Sequence, residues 1–254
     1  MHKVRPRTLL LACITAILVA GAGAPAIAQD ATPTGGEVTI LGPDESYAGA
    51  TLGEWDAHWW QWAGSLPPEI NPGVNVTGEA CGYGQSGPVF FLPGTFSFDQ
   101  AIQTCVVPEG TAIFVSVAGN ECSTVEESPY FGRDEEDLRA CATAATDTVT
   151  DVQASINGQQ VPNIELYRIT SPLFPLTFAE DNLFEAPAGV ALSVADDYSF
   201  IIAPPAPGEY EIAVSGVYGE DSIGGTFRVI VEAPQVIEPA ATPVASPEAA
   251  TPVA

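Results

Sequence analysis

The spacing of apolar positions changes character along this chain. Between Thr51 and Gly64, Trp55, Trp59 and Trp62 fall at i, i+4 and i+7, so they share one face of a helix. Thr51-Leu52-Gly53-Glu54 reads as a capping box, and Pro67-Pro68 cannot continue the helix beyond about Gly64. From Gly87 onward the runs become short, β-branched and aromatic. Val89–Leu92 and Ala112–Val117, bounded by Gly and Pro, predict strands. Asp134-Glu135-Glu136-Asp137 opens a second helix running to about Ala145, its carboxylates complementing the positive end of the helix dipole. Val152–Ile156, Asn157-Gly158 and Val161–Ile169 predict a hairpin, because Asn-Gly suits the left-handed conformations of a type I′ turn. Further strands are predicted at 190–194, 198–203, 209–217 and 225–232, separated by Asp, Gly and Pro clusters. This pattern predicts a mainly β protein: an antiparallel β-sandwich with two short helices.

The ends follow different rules. A basic start (His2, Lys3, Arg5, Arg7), the apolar stretch Leu9–Val19 and small residues ending in Ala26-Ile27-Ala28 predict a signal peptide over 1–28, cut before Gln29. Glycines and a proline break the apolar stretch before it reaches the ~20 residues of a membrane span. Leu10-Leu11-Ala12-Cys13 resembles a lipoprotein box, but the apolar segment follows it instead of preceding it. Residues 29–36 form a linker and 37–233 the sandwich domain. Residues 234–254 form a disordered Pro/Ala/Thr tail in which Ala-Thr-Pro-Val-Ala occurs at 241–245 and 250–254. The expectation is a secreted protein, extracellular or wall-associated, with no membrane span after processing.

Charge narrows the partners. Beyond residue 28 only Arg133, Arg139, Arg168 and Arg228 oppose 32 acidic residues, a formal charge of −28 with no lysine. Such a surface repels phosphate backbones and anionic membranes, so no nucleic-acid partner is expected and solubility as a monomer is. Loose acidic clusters (Glu126-Glu127, Glu180-Asp181-Asn182, Asp196-Asp197, Glu220-Asp221) match no calcium loop. Four cysteines remain after processing: Cys81, Cys105, Cys122 and Cys141. An even number predicts two disulfides. Of the three pairings, Cys81–Cys105 and Cys122–Cys141 are favoured because both close short loops, each stabilising by roughly 3 kcal/mol on a loop-entropy argument. With no C-x-x-C pair and one histidine in the processed chain, no metal site or cofactor is expected.

Candidate chemistry is sparse. His58 alone could serve a Ser-His-Asp or Cys-His arrangement, and neither G-x-S-x-G nor H-E-x-x-H occurs; Gly84-Gln85-Ser86-Gly87 only approaches the first. No catalytic residue is assigned. Glu121, beside Asn120 and Cys122 at the end of an apolar strand, is the leading candidate for a semi-buried acid, as a carboxylate-based glycan hydrolase would need. Trp60 lies off the main tryptophan stripe, with His58 and Gln61 nearby, and could present a ring to a sugar.

The chain resembles a recurring group of secreted bacterial proteins without an assigned function. The residues that carry this are Trp55…Trp59-Trp60-Gln61-Trp62 with Asn71-Pro72, then Gly78…Cys81…Gln85-Ser86-Gly87-Pro88-Val89-Phe90-Phe91-Leu92. Cys105-Val106-Val107-Pro108…Gly110, Tyr167-Arg168…Ser171-Pro172…Phe174 and Asp181-Asn182…Phe184 extend it from about Trp55 to Ser215. In that group Trp is common where Phe90 stands, and Gly where Asp197 stands. The resemblance implies a β fold and brings no activity or ligand. The expected function is therefore a non-enzymatic binding module for a carbohydrate or cell-wall ligand, through His58, Trp60, Gln61, Asn120, Glu121 and Arg168. The alternatives are a glycan hydrolase or a structural surface protein.

Overall fold

A computed structural model describes residues 33–233 except 75–77, 95 and 97–100. By compactness the chain divides into residues 1–32 and 33–254, and the described residues all belong to the second unit. The expected signal peptide, half of the linker (29–32) and the expected Pro/Ala/Thr tail lie outside the described residues.

The elements, in chain order, are α1 (Leu52–Ser65), β1 (Val89–Phe91), β2 (Ala101–Pro108), β3 (Ala112–Ser123), α2 (Glu135–Thr146), β4 (Val149–Ile156) and β5 (Gln159–Gln160). A 3₁₀ turn (Ile164–Tyr167), β6 (Arg168–Thr170), β7 (Phe174–Phe178), β8 (Gly189–Ile202), β9 (Gly208–Tyr218) and β10 (Asp221–Glu232) complete them. They form a mainly β, two-sheet structure with two helices. One sheet runs β1-β3-β8-β6, with β7 also on β8; the other runs β2-β10-β9-β4-β5. Pairing is antiparallel except for β1–β3 and β2–β10, which are parallel.

Alternation along the strands builds two apolar layers. Phe90, Ile113, Val115, Phe200 and Ile202 of the first sheet pack against Val107, Ile212, Val214, Phe227 and Val229 of the second. The opposite face of the first sheet carries Val89, Phe91, Phe114, Leu176 and Ile201, and α1 covers it with Trp55, Trp59 and Trp62. The first sheet is thus buried on both faces, a helix–sheet–sheet arrangement. All four indole N–H groups find acceptors: Tyr47 O, Leu92 O and Tyr83 O for Trp55, Trp59 and Trp62, and the Asp197 carboxylate for Trp60. That is the usual condition for burying tryptophan.

Both helices begin as their sequences predict. The Thr51 hydroxyl accepts from Glu54 N, and Glu54 Oε2 accepts from Thr51 N at 2.8 Å. Asp134 caps α2 by accepting from Asp137 N. The disulfides are Cys81–Cys105 and Cys122–Cys141, the second fastening α2 to β3. No helix among the described residues is long and apolar enough to cross a membrane.

Three strand predictions need correction. The strands at 190–194 and 198–203 are one strand, β8, which runs straight through Asp196-Asp197. The second arm of the Asn-Gly hairpin is only two residues long. Pro162 has no N–H to donate, Asn163 adopts a left-handed φ of 52°, and the chain turns into the 3₁₀ segment instead. Strand β2 is an addition; it joins the sandwich in parallel with β10, residue for residue from Ala101 to Pro108.

Candidate functional site

The site arises where one strand is much shorter than its neighbour. β1 pairs only with Ala112–Phe114, so among the described residues that edge of the twelve-residue β3 has no flanking strand from Phe114 to the isolated bridge between Ser123 and Phe131. A bulge between Ser116 and Ala118 shifts the register at this point. The Tyr218 hydroxyl fills part of the missing ladder: it accepts from Gly119 N and donates to Gly119 O, both at 2.8 Å. A cavity of about 520 Å³ occupies the remaining space, walled by Trp59, Trp60, Phe96, Phe184, Tyr130 and Tyr218. Glu121, Glu126 and Asp197 also line it.

Strand parity places the acids. β3 and β8 set Gly119 opposite Asp197 and Glu121 opposite Ala195, with their side chains on the α1 face. Gly119 is needed there because a Cβ would run into the Asp197 carboxylate. Asp197 is buried and accepts from Trp60 Nε1 at 2.9 Å. Asp56, one turn earlier on α1 and fully buried, comes within hydrogen-bonding reach of Asp197 while its Oδ1 accepts from Ser199 at 3.2 Å. Burial raises both carboxyls, and Asp197 is pushed up to about 7. Two buried carboxyls within reach of each other cannot both ionise cheaply, which favours a proton held between them.

Glu121 and Glu126 form a second pair. Glu121 is 4% exposed, and among the described residues no N–H group or hydroxyl donates to either of its oxygens or to Glu126 Oε2, while the two carboxyls lie within hydrogen-bonding reach of each other. The neighbouring Ser193 hydroxyl is turned to Cys122 O, at 2.9 Å. Burial first, and then the Glu126 carboxylate, raise Glu121 well above the usual range; burial likewise raises Glu126. An ionised carboxylate only accepts, so this pair too must hold a proton or await a donor.

Of the candidate residues, Trp60, Asn120 and Glu121 line this cavity. Trp60 does so as a buried ring bonded at its edge, which corrects the view of it as a surface platform. Asn120 contributes main chain, since its side chain crosses to the other sheet face and donates to Thr146 on α2 at 3.2 Å. His58 and Gln61 are elsewhere: their side chains bond to each other at 3.0 Å, and Gln61 donates to Pro175 O. Arg168 lies on the α2 side, bridging Asp196 at 2.6 Å and Asp147 at 2.8 Å and donating to Thr143 O. It braces β6, β8 and α2 and has no part in the cavity. Among the described residues, no group of three or more His, Cys, Asp or Glu is arranged to hold a metal.

Sequence reasoning missed Asp56, Asp197 and Glu126 as members of one site. Asp56 could have been found: Leu52, Asp56, Trp59 and Ala63 recur at i, i+4, i+7 and i+11, and a carboxylate on that apolar stripe has to be buried. Asp197 keeps step with Ala191, Ser193, Ala195, Ser199 and Ile201, a signal that the turn-like Asp-Asp pair concealed.

Neither family models nor curated proteins match this chain. Among solved structures, that of PbICP-C in complex with falcipain-2 aligns at 16% identity, covering 57% of this chain and all of that one, with a TM-score of 0.27. A likeness so slight carries no argument about function.

Proposed function

We propose that this protein is a secreted binding module whose ligand enters the cavity beside β3. One observation carries the reading. Glu121 is buried beside Glu126 with, among the described residues, no N–H or hydroxyl donor to either carboxylate oxygen, in the wall of a 520 Å³ aromatic-lined cavity. A buried acceptor without a donor costs roughly 1–3 kcal/mol, more when charged, and such groups are rare unless something completes them. Ligand sites are typically apolar hollows with a few convergent polar groups, which describes this one. Secretion is supported by the signal-like N-terminus and by two disulfides, which persist in oxidising compartments. A titration of intrinsic fluorescence tests the module, because Trp59 and Trp60 line the cavity. Saturable change with a compact sugar, wall fragment or amine, lost in Glu121→Gln, is the expected result. Unchanged emission across such a panel counts against it.

The raised Glu121 and Asp197 carboxyls favour a second reading, hydrolysis with a protonated carboxyl as general acid. Turnover of wall or plant glycans that disappears in Glu121→Gln would establish it; binding without turnover leaves the module.

A further inference from the structure

We propose that the cavity takes a primary ammonium group, so that the ligand is a small organic amine with an apolar or ring-bearing body. This rests on the pocket reading above and gives the ligand its chemical class. The cavity wall holds the three carboxyls of Glu121, Glu126 and Asp197 and no cationic side chain. The described arginines are committed elsewhere: Arg133 to Asp137, Arg139 to Glu135, Arg168 to Asp147 and Asp196, and Arg228 to Glu209. Among the described residues the wall offers no positive charge to an anionic ligand, and three of its buried acceptor atoms have no N–H or hydroxyl donor: Glu121 Oε1, Glu121 Oε2 and Glu126 Oε2.

Ligand classes can be separated on this basis. A hydroxyl offers one donor and no charge, so it leaves the Glu121–Glu126 pair negative and largely unsatisfied. A quaternary ammonium brings charge but no donor. A primary ammonium brings three N–H donors and one positive charge. Even with a proton held between them, the two carboxyls keep a negative charge for it to meet. Charge-assisted bonds of this kind are roughly twice as strong as neutral ones. The ring faces of Trp59, Trp60, Phe96 and Phe184, clustered with neighbouring centroids 5.0–6.1 Å apart, can receive the body and the flank of the cation. A formal charge of −25 on the whole chain raises the local concentration of any cation.

The experiment titrates the exported protein with 2-phenylethylamine, the neutral 2-phenylethanol and quaternary benzyltrimethylammonium, following tryptophan emission and heat. The amine is expected to bind at least about tenfold more tightly than either relative. Glu121→Gln and Glu126→Gln should each weaken it about tenfold, while Glu109→Gln, at an exposed turn, leaves it unchanged. The two glutamine variants are near-isosteric, and their melting curves report whether the fold survives. Equal binding of alcohol and amine overturns the ammonium assignment and leaves the pocket standing. Sugars that bind while all three probes fail do the same. Amine binding that ignores both glutamine variants is attraction to the acidic surface and overturns the assignment. Failure of every probe and every sugar overturns assignment and pocket together.

Discussion

Asp56 and Asp197 meet between α1 and β8, with one indole N–H and one serine hydroxyl to serve them. Their burial has a consequence for stability with a definite sign. An unfolded Asp releases its proton near pH ~3.9, whereas folded Asp197 holds one to about 7. The folded state therefore binds more protons than the unfolded state between those values. Stability from this pair is fully present below pH ~4 and is lost as pH rises through about 7. The raised Glu121 and Glu126 act in the same direction. The melting temperature should be higher at pH 5 than at pH 8, and Asp197→Asn should remove part of that difference, leaving the share of Glu121 and Glu126, since its amide oxygen can still accept from Trp60. Calorimetry across this range checks it; a slope unchanged in the variant removes the shared proton from the account.

Among the elements, α1 carries three of the features that build the site: a tryptophan face for the sheet, Asp56 on its stripe, and Trp60 at the cavity. Its start depends on the reciprocal Thr51–Glu54 cap. Thr51→Ala should cost about 1 kcal/mol and lower the melting temperature by a few degrees. Chemical denaturation measures this, and an unchanged midpoint means that packing alone holds the helix end. This element was legible because a cap, a periodic face and a Pro-Pro stop are local features that agree with one another. β8 was not, because an Asp-Asp pair usually signals a turn. Here Thr143, Thr170 and Arg168 receive Asp196 on one face, while Trp60 and Asp56 receive Asp197 on the other. Only partners distant in sequence make a strand through two carboxylates tolerable.

For the molecule as a whole, the unbalanced charge sets the response to salt. With 32 acidic residues against seven basic ones in the full chain, self-repulsion is expected to outweigh the five ion pairs among the described residues, four of which have at least one partner more than a third exposed. Sodium chloride at about 0.5 M, where screening acts within a few ångströms, should therefore raise the melting temperature near neutral pH. A fall would mean that the ion pairs, above all Arg168 with Asp147 and Asp196, outweigh the repulsion. The sequence by itself determined what depends on near neighbours: the two helices and their caps, most strands, the two-sheet class and the acidic surface, while it favoured one of three disulfide pairings that the structure then settled. Glu121 stood out from its place at the end of an apolar strand. Only the tertiary structure decided which acids share a cavity, that Trp60 is enclosed, and that His58, Gln61 and Arg168 stand apart. Those outcomes depend on β1 stopping short of β3, on the register that sets Gly119 against Asp197, and on α1 crossing the sheet at Asp56. Each is a contact between residues far apart in the chain, which no local pattern encodes.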